Sequence, residues 1–168
     1  MGVQSVGEDE VRAAVEALGV DFEIVECDPA LADTAAFCES YGYLPEESAN
    51  TIIVIAKTDP PKYAACVVLA TTRLDVNRVV RHRFGAKKAS FASGDQTVEM
   101  TGMMIGGVTP FALPADMPIW VDSRVVERRR LLFGGGSRSC KVVGPPGLLT
   151  SQPQVEVVEG LAFIPDPS

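Results

Sequence analysis

Two apolar runs constrain this chain most. "NTIIVIAK" (residues 50–57) and "AACVVLAT" (residues 64–71) are nearly continuous in β-branched and small apolar residues, with only "TDPPKY" between them. Short unbroken runs of this kind, bounded by a Pro-rich turn, read as buried neighbouring strands, here a hairpin. The rest of the chain must therefore supply elements that cover them.

Those elements follow from local pattern. In "EDEVRAAVEALGV" the residues Val11, Ala14, Val15 and Leu18 keep i, i+3, i+4, i+7 spacing, and Gly19 stands where the helix should stop. "DFEIVEC" is a short strand, and "ALADTAAFCESYG" a second helix ending at Gly42. "LDVNRVVRHRFG" is the clearest later helix: Asp75 caps it, Val76, Val79, Val80 and Phe84 form its buried stripe, and Arg78, Arg81 and His82 point away. "KKASFA" reads as a strand and "SGDQTVEMTG" as a short helix closed by Gly102. Strands are expected in "MPIWVDS", "RRRLLF", "SCKVV" and "QVEVVEG", a short helix in "PPGLLTS", a turn in "GGGS" and a loose tail in "FIPDPS". The expectation is an α+β fold, one compact domain over residues 1–168 with its core at about 20–150, large enough to need no disulfide or metal staple.

Charge is segregated along the chain. Residues 1–50 carry twelve acidic side chains and one basic, Arg12, whereas residues 73–141 carry twelve basic and six acidic. The net charge of -7 argues against indiscriminate nucleic-acid binding, and the segregation permits one basic face on an acidic body. The acidic N-terminus is unlike a secretory signal, and no apolar run is of membrane-spanning length, so a cytoplasmic protein with no membrane partner is expected.

Several chemistries are excluded. Cys27, Cys38, Cys66 and Cys140 are far apart and His82 is the only histidine, so no zinc-type ligand spacing exists; no metal or cofactor is expected, and the cysteines read as reduced, buried thiols. His82 lies between Arg81 and Arg83 with nothing to orient it as a triad base. "GGGSRS" is not a nucleophile elbow, a phosphate-binding P-loop or a dinucleotide fingerprint. Asp122, at the end of "PIWVD", is either a turn cap or a catalytic carboxylate. Any activity must then rest on backbone amides, a few polar side chains and the substrate itself.

One stretch suits that role. "TGMMIGGVTPFALP" (residues 101–114) sets a Gly-Gly pair and two prolines among exposed-looking methionines, and reads as a structural turn or as a loop presenting its backbone to a ligand. With its neighbours it forms the ordered set "RLDVNRVVRHRFGAKKASFAS", "TGMMIGGVTPFAL", "MPIWVDSRV" and "LLFGGGSRSCKV". This set resembles the YbaK/EbsC/ProX-type family of aminoacyl-tRNA editing proteins, related to the editing domain inserted in prolyl-tRNA synthetases. The likeness spans roughly residues 20–150.

The resemblance implies a mixed, partly barrel-like sheet flanked by helices and a cytosolic deacylase that clears a mischarged small amino acid from tRNA. It also implies that loop amides and the tRNA's own ribose hydroxyl act in place of a protein nucleophile. Carried over, the family's loop becomes Gly106 to Pro110, with Gly106, Gly107 and Pro110 placing the ester carbonyl and Val108 and Thr109 shaping the pocket. Gly135 and Gly136 match its Gly-rich hairpin, Gly134 stands where deacylases often have serine, and Lys88 and Arg138 would contact tRNA, with Arg78, Arg81 and Lys87 nearby. Asp122 falls near the pocket wall. The family strand usually opens Lys-Thr or Lys-Ser, whereas this chain has Asn50 and Thr51, which keep hydrogen bonding without the charge. The alternative is accordingly a non-catalytic module that binds an aminoacyl-tRNA or adenylate-type ligand. An aminoacyl-tRNA synthetase is a further candidate partner; no DNA partner is expected.

Overall fold

The computed structural model describes residues 5–104 and 106–165. Helix α1 (Glu8–Glu16) leads into β1 (Glu23–Glu26), a 3-10 turn (Pro29–Leu31) and α2 (Thr34–Tyr41). A second 3-10 turn (Pro45–Glu47) precedes the hairpin β2 (Ala49–Ala56) and β3 (Lys62–Leu69). Then come β4 (Arg73–Leu74), a π-helical turn (Val76–Val80) running into α3 (Arg81–Phe84), β5 (Ala89–Phe91) and α4 (Gly94–Thr101). The chain continues through β6 (Ile119–Asp122), α5 (Ser123–Val126), β7 (Leu131–Gly134), β8 (Cys140–Gly144), α6 (Gly147–Thr150), β9 (Val155–Val158) and β10 (Ala162–Phe163).

The expected hairpin is the centre of a five-stranded sheet in the order β5-β2-β3-β6-β9, in which β2 pairs antiparallel with β3 and β5, while β6 runs parallel to β3 and β9. A three-stranded antiparallel sheet, β1-β8-β7, meets it through a single parallel bridge between Ser48 and Leu132, just before β2 begins. The sheets thus curl towards each other at that corner, a partly barrel-like arrangement that leaves the barrel open.

Alternation along the strands explains the continuous apolar runs. Ile53, Ala65, Val67, Leu69, Ile119 and Val121 face the main core, shared with α1, α6 and the inner face of the small sheet. Their neighbours Val54, Ala64, Cys66, Val68 and Trp120 face a second core under the π-turn and α3. A strand buried on both faces has no polar side to show, so the sequence loses its period of two. A third cluster packs α2 on the outer face of the small sheet, with Phe37 against Leu132 and Val143; Phe37 also stacks on Tyr41 and Tyr43 at 4.6 and 5.5 Å.

Three details depart from the sequence reading. The second helix is broken, because the Asp28 carboxylate accepts from the Ala30 amide and Asp33 is extended, so only Thr34–Tyr41 is α-helical before Gly42 closes it at φ 78°. The helix after Asp75 does begin at that cap, which accepts from the Arg78 amide at 3.1 Å, but its first turn is π-helical and carries a bond from the Val80 amide to the Asp75 carbonyl. The expected loose tail pairs in part, since Ala162 and Phe163 lie on Leu74 and Arg73; residues 166–168 are outside the described residues. Among the described residues, no helix is long and apolar enough to cross a membrane.

Candidate active site

A cleft of ≈ 290 Å³ opens where the two sheets meet, bounded by the start of β2, the end of β7, the start of α2 and the loop after α4. Asn50 and Thr51 reach it from β2, Gly106 and Val108 from the loop, Gly134 from β7 and Lys141 from β8. The four stretches come together because β2 leaves the Ser48–Leu132 bridge beside β7, and β7 pairs with β8 so that Gly134 lies opposite Lys141.

Glycines let the loop rest on the hairpin. A Cβ on Gly107 would sit 2.8 Å from the Gly136 carbonyl carbon, and one on Gly134 would sit 2.4 Å from the Val108 carbonyl oxygen. These are backbone-to-backbone contacts that no side chain could relieve. Gly106 has φ +94° and lies under Arg138, whose Nη1 would be 2.9 Å from an added Cβ. Arg138 in turn donates to the Pro29 carbonyl and pairs with Asp33 at 3.2 Å, strapping the hairpin to the entrance of α2. Its guanidinium is thus engaged within the protein.

The polar groups of the cleft are few. The Thr51 hydroxyl oxygen is shielded from solvent and has no hydrogen-bond partner. The Gly107 amide donates to the Met104 carbonyl at 3.0 Å, so it is spent inside the loop; the Val108 amide donates to no atom among the described residues. Asp33 and Lys141 are the only titratable side chains among the described residues that line the cleft. Lys141 is half-buried, with its Nζ 5.7 Å from the Phe37 ring centre, and burial holds its ammonium below the usual lysine value.

Other expected site residues lie around this cleft without lining it. Thr109 and Pro110 are buried, and the Thr109 hydroxyl is also without a partner. Gly135 and Gly136 are buried in the hairpin, Gly135 against Cys140. Lys88 is exposed just before β5, outside the cleft. Asp122 is away from the cleft altogether: it is 1% exposed, and its carboxylate accepts from the amides of Arg124 at 2.9 Å and Ala162 at 2.7 Å. It caps α5 and anchors β10, the structural alternative considered for it. Of the two methionines that look exposed in the loop, Met103 is fully buried and Met104 is exposed; Ile105 is outside the described residues.

Lys141 and Asp33 were missed by sequence reasoning. The signal for Lys141 was in "SCKVV", where alternation puts Val142 on the main core and Lys141 with Val143 on the face that α2 covers. A charge at a covered position is informative, but its significance depends on α2 lying there.

Comparison with known proteins agrees with this geometry. The fold is similar to that of the hypothetical protein APE2540, with a TM-score of 0.80 and 24% identity over 91% of this chain and 99% of that one. It is also similar to a proposed trans-editing enzyme for prolyl tRNA synthetase, with a TM-score of 0.78 and 19% identity over 90% of this chain and 94% of that one. Residues 28–150, which include the whole cleft, match the aminoacyl-tRNA editing domain, and the chain belongs to that family.

Proposed function

We propose that this protein is a trans-acting aminoacyl-tRNA deacylase that hydrolyses the ester of a mischarged small amino acid. The observation that carries the reading is the composition of the cleft. It is small, the loop of Gly106 and Val108 forms one of its walls, and no histidine or cysteine lines it among the described residues. Such a site suits a reaction whose nucleophile is water and whose substrate carries its own hydroxyl. Water adds to the ester carbonyl carbon, the bond to the ribose oxygen breaks, and the proton lost by water ends on that oxygen, relayed by the neighbouring ribose hydroxyl. The protein's part is to hold the ester and stabilise the developing oxyanion with placed donors. The Val108 amide is one such donor, and the Thr51 hydroxyl another polar contact for the aminoacyl group.

The trans-editing neighbour, named for prolyl tRNA synthetase, makes the prolyl system the source of the first substrates to try. The test is a deacylation screen of purified protein against tRNAs mischarged with small amino acids. Turnover of one or more supports the proposal. Saturable binding with no turnover across the panel would instead support the binding-module alternative, which Asn50 favours by bringing no charge.

A further inference from the structure

We infer that the Lys141 ammonium is the cleft's catalytic cation, donating to the ester carbonyl oxygen as it becomes an oxyanion; this rests on the deacylase reading. Three observations converge on it. First, in the β7–β8 pairing Gly134 lies directly opposite Lys141, so both residues face the same way, and it is on this face that Gly134 touches the Val108 carbonyl. Directly opposed residues on antiparallel strands are side-by-side neighbours, so the lysine stem rises beside the Gly106–Val108 wall. Second, its ammonium has no hydrogen-bond or ion-pair acceptor among the described residues, although four arginines of the chain find carboxylates. The nearby Phe37 ring at 5.7 Å is a weak substitute, and Asp33 is taken up by Arg138. Third, it is half-buried and its ammonium is held below the usual lysine value chiefly by burial, so the cation is partly stripped of water before substrate arrives. A desolvated, unpaired cation in a small cleft is poised to gain most when negative charge appears next to it.

The step balances without proton transfer from the lysine. When water adds to the carbonyl carbon, the C=O electron pair moves onto oxygen, where the ammonium hydrogen-bonds it. On collapse the pair re-forms the carbonyl and the bond from the acyl carbon to the ribose oxygen breaks, that oxygen taking the proton that water lost. Asn50, on the other side of the cleft, is left to hold substrate by neutral hydrogen bonding.

The experiment compares wild type, Lys141→Met and Lys141→Arg on the mischarged tRNA that wild type clears. Methionine keeps the stem's packing over Phe37, and melting temperatures check that both variants fold. The expected result is a fall in kcat of about 100-fold or more for Lys141→Met with little change in KM, and a smaller fall for Lys141→Arg, which keeps the charge. Activity of a folded Lys141→Met within about threefold of wild type, or a loss confined to KM, overturns the inference while leaving the deacylase reading intact. Should Lys141→Met fail to fold, a folded Lys141→Arg decides instead: kcat reduced with KM kept supports the assignment, and unchanged kinetics or a KM effect alone overturns it. A wild type inactive on every mischarged tRNA overturns both.

Discussion

Gly134→Ala is the sharpest test of the cleft as described. The added Cβ would lie 2.4 Å from the Val108 carbonyl oxygen and 3.3 Å from its carbon. Even a close C···O contact is about 3.3 Å, so the loop must retreat by ~1 Å. Neither partner is a flexible side chain, so the movement is paid in backbone distortion or lost packing, and overpacking of this kind costs about 1–3 kcal/mol. For a chain of this length that corresponds to a melting-temperature drop of about 2–12 °C. The functional loss should be larger in relative terms, since displacing a positioning group by ~1 Å can reduce turnover by about 100-fold. Gly147→Ala is the control: its nearest foreign atom would be Val20 Cγ1 at 3.6 Å, ordinary contact, and the substitution should be neutral or stabilising by about 0.4–1 kcal/mol. Differential scanning calorimetry and single-turnover deacylation read both quantities. A Gly134→Ala protein that melts with wild type and deacylates at the wild-type rate would refute the loop-on-strand contact.

Asp122→Asn should destabilise the fold by about 1.5–3 kcal/mol for each charge-assisted bond lost, measured by urea unfolding, and leave turnover of the folded fraction near wild type; unchanged stability with lost turnover would return Asp122 to the catalytic list. Thr51→Val removes a shielded hydroxyl that has no partner, so the free protein should be as stable as wild type or more so, while KM for the aminoacyl substrate rises. The Cys140 thiol is pushed up to about 11, chiefly by burial, from its ordinary 9.0. Because its folded value is raised, its contribution to stability is full below pH 9.0 and is lost as pH rises towards about 11, and alkylation at pH 8 should be slow until the protein is unfolded.

The fold was largely legible because its strongest signals are local. Two apolar runs with a Pro-rich turn between them specify a buried hairpin, and Gly42 and Gly102 end their helices where the stops were expected, in the left-handed conformation that Gly85 also adopts after α3. The pairing of β4 with β10 was not legible, since two-residue strands carry no periodic signal and depend on the Asp122 carboxylate holding the Ala162 amide. At the site, Gly106, Val108, Asn50 and Thr51 were reached through the family resemblance of the segments that carry them. Lys141 was not, because a lysine in a short strand looks solvent-facing until α2 and Phe37 are seen to cover it. Asp122 is the converse case: a carboxylate at a strand end can serve chemistry or architecture, and here its bonds to the Arg124 and Ala162 amides are those of a cap.

The glycine contacts behind the cleft also bear on how the protein can be cut. A Cβ on Gly136 would meet the backbone of Gly7 at 2.8 Å, just as one on Gly107 would meet Gly136. A row of bare backbone therefore runs from the loop through the hairpin to the segment that starts α1, and that segment lies outside the family-matched residues 28–150. The same segment supplies Val11 and Val15 to the main core and gives β8 its outer partner, β1. A fragment trimmed to the matched residues would leave β8 with an unpaired edge and the hairpin with no backing. The unit that sequence comparison recognises is thus smaller than the unit that can hold its own cleft in shape.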